Sequence, residues 1–317
     1  MINYLLNFLT GITLFLFGIN NLCNITKNIN KHKFINMLKK VNNKFQGLII
    51  GILITSILQS SSFVTILVIT LIDSNILTIN SSIGIILGSN IGTCLTAWIF
   101  SLSSINLFNI ITPSNIIGLF SLISIIFFFL RKNIKANFFY NIMIILLGMN
   151  LMNISLSPLA NTSFFQNIFI SFSNPILGLL LGIITSCIFQ SSSIVIGLLE
   201  SLSLNMNINF LSGLTIILGS NIGTCTTTLI ASIKLNKTSK VLSIFHLLFN
   251  LFSSIIILII FYLLNYLFNP TFIYNKINPI TISLIHTFFN IISVIIIWPF
   301  TNTLYKISSK YIKTSNN

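Results

Sequence analysis

Two short runs, Gln59-Ser60-Ser61-Ser62 and Gln190-Ser191-Ser192-Ser193, set hydroxyls and a side-chain amide in the middle of long apolar stretches. At the start of a helix, such a run adds its side chains to backbone N–H groups that have no partner within the helix. A helix N-terminus also bears about +0.5 of an elementary charge, and the combination binds phosphate-like anions. Two of them, approaching from opposite faces, would grip one anion near the middle of a membrane. Serine clusters also let membrane helices pack closely. Two copies in register inside otherwise apolar segments favour the anion.

A second signature follows each run: Gly88-Ser89-Asn90-Ile91-Gly92-Thr93-Cys94 matches Gly219-Ser220-Asn221-Ile222-Gly223-Thr224-Cys225. Glycines on both sides of Asn permit local unwinding, and Ser, Asn and Thr oxygens with freed carbonyls make a hard-cation site. Thr96 and Thr227 extend this oxygen-rich face by one turn. The expected cation ligands are therefore Ser89, Asn90, Thr93 and Thr96, with Ser220, Asn221, Thr224 and Thr227. No Lys or Arg falls inside an expected apolar span, so a divalent anion would lose its water without a counter-charge unless a cation bound beside it. The competing reading of this signature is a helix kink that serves packing.

Other chemistry is sparse. Asp73 and Glu200 are the two carboxylate side chains. Asp73 falls in an expected turn and reads as solvated. Glu200 ends an apolar run, where it titrates, binds a cation or sits at the interface. His246 with Asn250 and His286 with Asn290 form i, i+4 pairs on one helix face each. They read first as buried pairs that hold helices together and second as proton-coupling groups. Cys23, Cys94, Cys187 and Cys225 lack metal-ligand spacing and read as small buried residues. The absence of a nucleophile–base or metal constellation argues against an enzyme, and the absence of a nucleotide-binding loop against an ATP-driven pump.

The elements that position these groups follow from a duplication. Residues 47–97 align without a gap to 178–228 at a constant offset of 131, with 24 of 51 pairs identical. Leu16-Phe17-Gly18-Ile19-Asn20 likewise resembles Leu146-Leu147-Gly148-Met149-Asn150, so the first helix belongs to the repeat. It also lacks a basic start and a cleavage site, which argues against a signal peptide. A 54% hydrophobic content, 6% charged residues and a mean hydropathy of +0.99 define an integral membrane protein rather than a nucleic-acid binder. Candidate spans are 3–23, 81–103, 114–130, 137–155, 210–233, 241–268 and 280–303, each near the ~20 residues a crossing needs.

Segments 47–72 and 178–201 are split by the Gln-Ser-Ser-Ser runs into arms of half that length and read as re-entrant hairpins. With hairpins, fifteen of the sixteen Lys and Arg fall on one side of the membrane and Lys276 alone on the other, as the positive-inside rule requires. The fold class expected is all-α and polytopic, with two inverted-topology repeats, each holding a re-entrant helical hairpin and a broken helix. Repeat one covers 1–131 and repeat two 137–268, an extra C-terminal helix 280–303 closes the chain, and 1–317 forms a single transmembrane domain. Stretch 27–44, with Phe34, Leu38, Val41 and Phe45 among lysines, reads as a helix on the membrane surface.

The doubled hairpins, the doubled Gly-Ser-Asn-Ile-Gly-Thr signature and the His246-Leu-Leu-Phe-Asn250 stretch resemble the type II sodium-phosphate cotransporter family over nearly the whole chain. The resemblance implies inorganic phosphate as substrate, bound at Gln59, Ser60, Ser61, Ser62, Gln190, Ser191, Ser192 and Ser193, and sodium as coupling ion, with no other cofactor. Thr55, four residues before Gln59, matches the family, whereas Ser186 only approximates it. Thr65 has Ile196 as its counterpart, which removes an oxygen from the second copy. Many bacterial relatives carry a soluble domain similar to the phosphate-regulatory PhoU protein. This chain stops soon after its last helix, so such a regulator is expected only in trans.

The resulting expectation is a phosphate transporter coupled to sodium, working by alternating access at the hairpin tips. Its rivals are an uncoupled or proton-linked exporter using Glu200, His246 or His286, and a non-transporting membrane partner of a soluble phosphate sensor. The expected place is the cell (inner) membrane, multi-pass, C-terminus cytoplasmic. Membrane lipids are partners, a homodimer is an admissible assembly and nucleic acid is not expected.

Overall fold

The computed structural model describes residues 2–102, 112–156 and 174–314, and these are helical apart from their connections and one β-bridge between Asn209 and Lys276. The side chains of Cys23 and Phe34 lie outside the described part. In chain order the helices are α1 (Ile2–Lys39), α2 (Lys44–Leu58), α3 (Ser61–Asp73), α4 (Ile79–Gly92), α5 (Cys94–Ser101), α6 (Pro113–Phe129) and α7 (Asn133–Leu156). After them come α8 (Pro175–Phe189), α9 (Ser192–Asn205), α10 (Phe210–Ser232), α11 (Lys237–Phe268), α12 (Pro279–Ile297) and α13 (Thr301–Thr314).

The abundant Asn supplies helix starts. The side chains of Asn43, Asn209, Asn236 and Asn278 accept the N–H of the residue three further on, and Thr78 forms a reciprocal capping box with Ser81. Among the described residues six helical stretches are long and apolar enough to cross a membrane, namely Asn3–Leu22, Ile79–Ser101, Asn133–Ser155, Phe210–Ser232, Lys237–Phe268 and Pro279–Ile312. The chain is thus a multi-pass, all-α membrane protein. The expected span at 114–130 is α6, whose 17 residues reach about 26 Å, just short of the ~30 Å hydrocarbon core.

Arms α2 and α3 have 15 and 13 residues, and α8 and α9 have 15 and 14, so each arm is too short to cross alone. The first arm of each hairpin packs along its own signature helix, α2 on α4 and α8 on α10. The second arms touch both copies, α3 packing on α4 and α10 and α9 on α10 and α5, while α1 packs along α7. At one end of the bundle Lys44 donates to Thr301 Oγ1 at 2.7 Å, and Asp73 meets Asn236. At the far end of α10, Asn205 bonds the Asn153 carbonyl and Lys276 the Leu204 carbonyl.

Three expectations need correction. The stretch 27–44 does not form a separate surface helix; α1 runs on without a break to Lys39. The second signature lies in an unbroken helix, α10, and the first is interrupted only at Thr93, which keeps right-handed angles (φ −65°, ψ −21°) and its N–H bond to Ser89. The glycines are there for packing instead: a Cβ on Gly88 would strike the Leu48 carbonyl, and one on its counterpart Gly219 the Leu179 carbonyl. Close backbone approach of this kind drives association where lipid removes the hydrophobic incentive. Asp73 is also not merely solvated, since its Oδ1 accepts the Asn236 N–H at 2.6 Å at the start of α11.

Candidate functional site

At each hairpin tip the glutamine is left-handed, Gln59 at φ 55°, ψ 28° and Gln190 at φ 53°, ψ 29°. Residues with a Cβ rarely hold this conformation, and neither copy relieves it with Gly. The turn stops the first arm and redirects the chain into the second. There Ser60 and Ser191 serve as N-caps, their hydroxyls accepting the Phe63 and Ile194 N–H groups at 3.3 and 3.4 Å. Strain of this sort persists where the surroundings impose it, commonly at binding sites.

The two tips meet. Ser62 Oγ donates to the Gln190 carbonyl at 3.1 Å, and both tips face one cavity of about 270 Å³. Its polar lining is Gln59, Ser60, Ser62, Gln190 and Ser191 with Asn20 and Thr227; Phe63, Ile66, Phe189 and other apolar side chains complete the wall. Among the described residues no charged side chain lines it. Ser61, Ser192 and Ser193 are buried beside the tips but do not line the cavity. Helix N-termini and hydroxyls converging on a space without formal charge can solvate a small anion by dipoles and hydrogen bonds.

The expected cation ligands are less gathered. Thr227 reaches the cavity, and Thr96 donates to Gln59 Oε1 at 2.7 Å, which ties the first signature to its tip. Ser89 and Ser220 donate to the carbonyls of Ile86 and Ile217, Thr93 to that of Asn90, and Thr227 to that of Thr224. Asn90 Nδ2 donates to Asn250 Oδ1 at 2.8 Å, whereas Asn221 Nδ2 is buried without a partner. Thr224 and Ser186 share a hydrogen bond of 2.8 Å; the Thr55 hydroxyl, at the matching place in the first copy, has none. Because the signature helices are not unwound, their carbonyls remain in helical bonds. A cation here would be held mainly by side-chain oxygens.

The remaining auxiliaries do not line the cavity. His246 on α11 pairs through Nδ1 with Thr228 Oγ1 on α10 at 3.1 Å, and Glu200 on α9 accepts from Ser283 on α12 at 2.8 Å. His286 is fully buried on α12. Sequence reasoning missed Asn20 in the cavity wall, although the repeated Leu16-to-Asn20 stretch pointed to it. It also missed that the two His-Asn pairs belong to a longer repeat: Ser243, His246, Phe249, Asn250 and Ser253 recur as Ser283, His286, Phe289, Asn290 and Ser293 at an offset of 40. The thiols of Cys225 and Cys94 donate to the His246 and His286 carbonyls, so α12 stands to the first signature as α11 stands to the second.

Long apolar helices around a polar, uncharged central cavity capped by paired helix starts define a membrane transport protein. The chain belongs to the Na+/Pi-cotransporter family, a family of transporters and not of enzymes, whose model matches residues 14–146 and again 144–268. It is similar to the uncharacterized protein YqeW of Bacillus subtilis, 26% identical over 86% of each chain. To human sodium-dependent phosphate transport protein 2B it is 42% identical over 65 residues, covering 20% of this chain and 9% of that protein. To YjbB of Salmonella typhimurium, whose name proposes inorganic phosphate export, it is 28% identical over 69% of this chain and 40% of the relative. The chain thus spans most of YqeW but well under half of the other two. No solved structure matches it with significance.

Proposed function

We propose that this chain moves inorganic phosphate across the membrane together with sodium. The observation that supports it most is that both Gln-Ser-Ser-Ser tips face a single cavity, joined by the Ser62–Gln190 bond. In this reading Gln59, Ser60, Ser62, Gln190 and Ser191 donate directly to phosphate, and Ser61, Ser192 and Ser193 contribute the first N–H groups of their helices. Thr96, Thr227 and the deeper Ser89, Asn90, Thr93, Ser220, Asn221 and Thr224 hold sodium close enough to offset the anion's charge. Family membership and the sodium-dependent name of the human relative favour the same cation.

Inverted hairpins on an alternating-access site form part of the proposal. Support comes from the two ends of the bundle: α3 finishes near Asn236 and α9 near Lys276, about the length of α10 apart. The lysine-rich end would then be cytoplasmic, with the C-terminus, in an inner membrane.

The test is labelled-phosphate flux in liposomes containing the purified chain, with and without an inward sodium gradient. Uphill, sodium-dependent accumulation is the expected result. The likeness to YjbB favours a second reading, export without sodium. Flux that follows the phosphate gradient and ignores sodium would replace the first reading with that one.

A further inference from the structure

The offset-40 repeat provides an internal control for the polar groups buried on α11 and α12. On α11 every polar residue of the motif has partners. Ser243 Oγ donates to the Thr228 carbonyl, His246 bonds Thr228, Asn250 Oδ1 accepts from Asn90, and Ser253 donates to the Phe249 carbonyl. On α12 the same positions are left open: both ring nitrogens of His286, Asn290 Oδ1 and Ser293 Oγ are buried without a partner. Ser283 instead donates to Glu200 Oε1 at 2.8 Å, and Glu200 Oε2 is again buried and unpartnered. The residue matching Glu200 in the first copy is Ile69. One copy has thus gained a carboxyl where the other has a methyl-bearing side chain, beside an imidazole freed from its usual bond.

A bare carboxylate enclosed here, 0% exposed, needs a compensating positive charge or a proton. Among the described residues the elements chiefly packed on α9 are α5, α7, α8, α10 and α12, with Phe15 of α1 against Gly197. Their titratable residues are Cys94 on α5, Lys135 and Tyr140 on α7, Cys187 on α8, Cys225 on α10 and His286 on α12. Helix α7 meets α9 through Met149 and Asn153, more than two turns from Tyr140 and further from Lys135. Tyr4 and the lysines of α1 are likewise at least three turns from Phe15. His286 stands one turn from Ser283 on the same helix face.

We propose that Glu200, Ser283 and His286 form a proton-binding site inside the membrane, separate from the hairpin-tip cavity. The carboxyl and imidazole offer three buried open atoms, Oε2, Nδ1 and Nε2, within one turn of Ser283. Glu200 lies two turns beyond Ser193 on the second hairpin arm, so proton occupancy changes how that arm is held against α12. The consequence for flux rests on the phosphate-transport reading; the site itself does not.

Infrared spectroscopy of the purified protein tests it directly, because the chain has only two acidic side chains. A protonated-carboxyl C=O band is expected at acid pH. It should fall as pH rises, persist in Asp73→Asn and be absent from Glu200→Gln. A band that survives Glu200→Gln, or no such band in the native protein, overturns the proposal. Loss of the band on adding sodium at fixed pH also overturns it, by making the site a cation site. If Glu200→Gln does not fold, Ser283→Ala removes the hydroxyl bond and should move the band; an unmoved band overturns the geometry. In liposomes the ratio of native to Glu200→Gln phosphate flux should change several-fold between acid and alkaline pH, and the ratio cancels the titration of phosphate itself. A constant ratio overturns the coupling. Absence of any phosphate flux from the native protein would remove the transport reading and leave the infrared result standing.

Discussion

Gln59 and Gln190 hold a backbone conformation that glycine would adopt at no steric cost, and both residues line the cavity, where the Gln59 amide donates to the Ser56 carbonyl and accepts from Thr96. Substituting Gln59→Gly therefore separates the turn from the chemistry. Relief of the left-handed strain is opposed by the added freedom of the unfolded chain and by loss of the Thr96–Gln59 hydrogen bond, so stability in detergent should fall by about 1–2 kcal/mol. Phosphate affinity should fall by about tenfold, the worth of one hydrogen bond to a charged ligand. Unchanged phosphate dependence of flux would remove Gln59 from the site. Asp73 acts structurally, since its carboxylate receives the Asn236 N–H at the start of α11. Asp73→Ala should cost about 1–2 kcal/mol in thermal unfolding and leave phosphate affinity as it was. A loss of affinity without a loss of stability would place Asp73 in the binding machinery.

Between elements, the signature glycines lock each hairpin to its own helix. Gly88→Ala would drive a methyl into the Leu48 carbonyl and Gly219→Ala into that of Leu179. Each should cost about 1–3 kcal/mol or more by overpacking, read as a lower unfolding temperature and poorer yield. Gly118 on α6 has no atom within 4 Å of an added Cβ, so Gly118→Ala should be neutral or stabilise by up to about 1 kcal/mol. Equal behaviour of the three variants would contradict the packing of α2 on α4 and α8 on α10. A Gly-Ser-Asn-Ile-Gly segment permits unwinding, but a flush helix face against a neighbour gives those glycines a use that keeps the helix whole. Sequence pattern alone does not choose between the two.

For the whole molecule, the lysine-rich end and the Lys276 end lie at opposite ends of the bundle. In intact cells a membrane-impermeant thiol reagent should label Lys276→Cys and spare Lys237→Cys, both in a background lacking the native cysteines; the reverse pattern would turn the proposed orientation over. Much at this scale was legible in the sequence by itself. Hydropathy and scarce charge determined the membrane class, identity at offset 131 determined the doubled hairpin and signature, and polar runs inside apolar segments determined where the tips break. Those are local properties, written in consecutive residues. The tertiary structure decided which side chains meet. It brought Ser62 to Gln190, Asn90 to Asn250 and Ser283 to Glu200, turned Ser61 and Ser192 out of the cavity lining, and set α12 against the first signature as α11 is set against the second. Such pairings depend on the rotation and crossing of each helix. In a chain apolar on nearly every face, hydrophobic periodicity is too weak to fix that rotation, and close backbone packing fixes it instead.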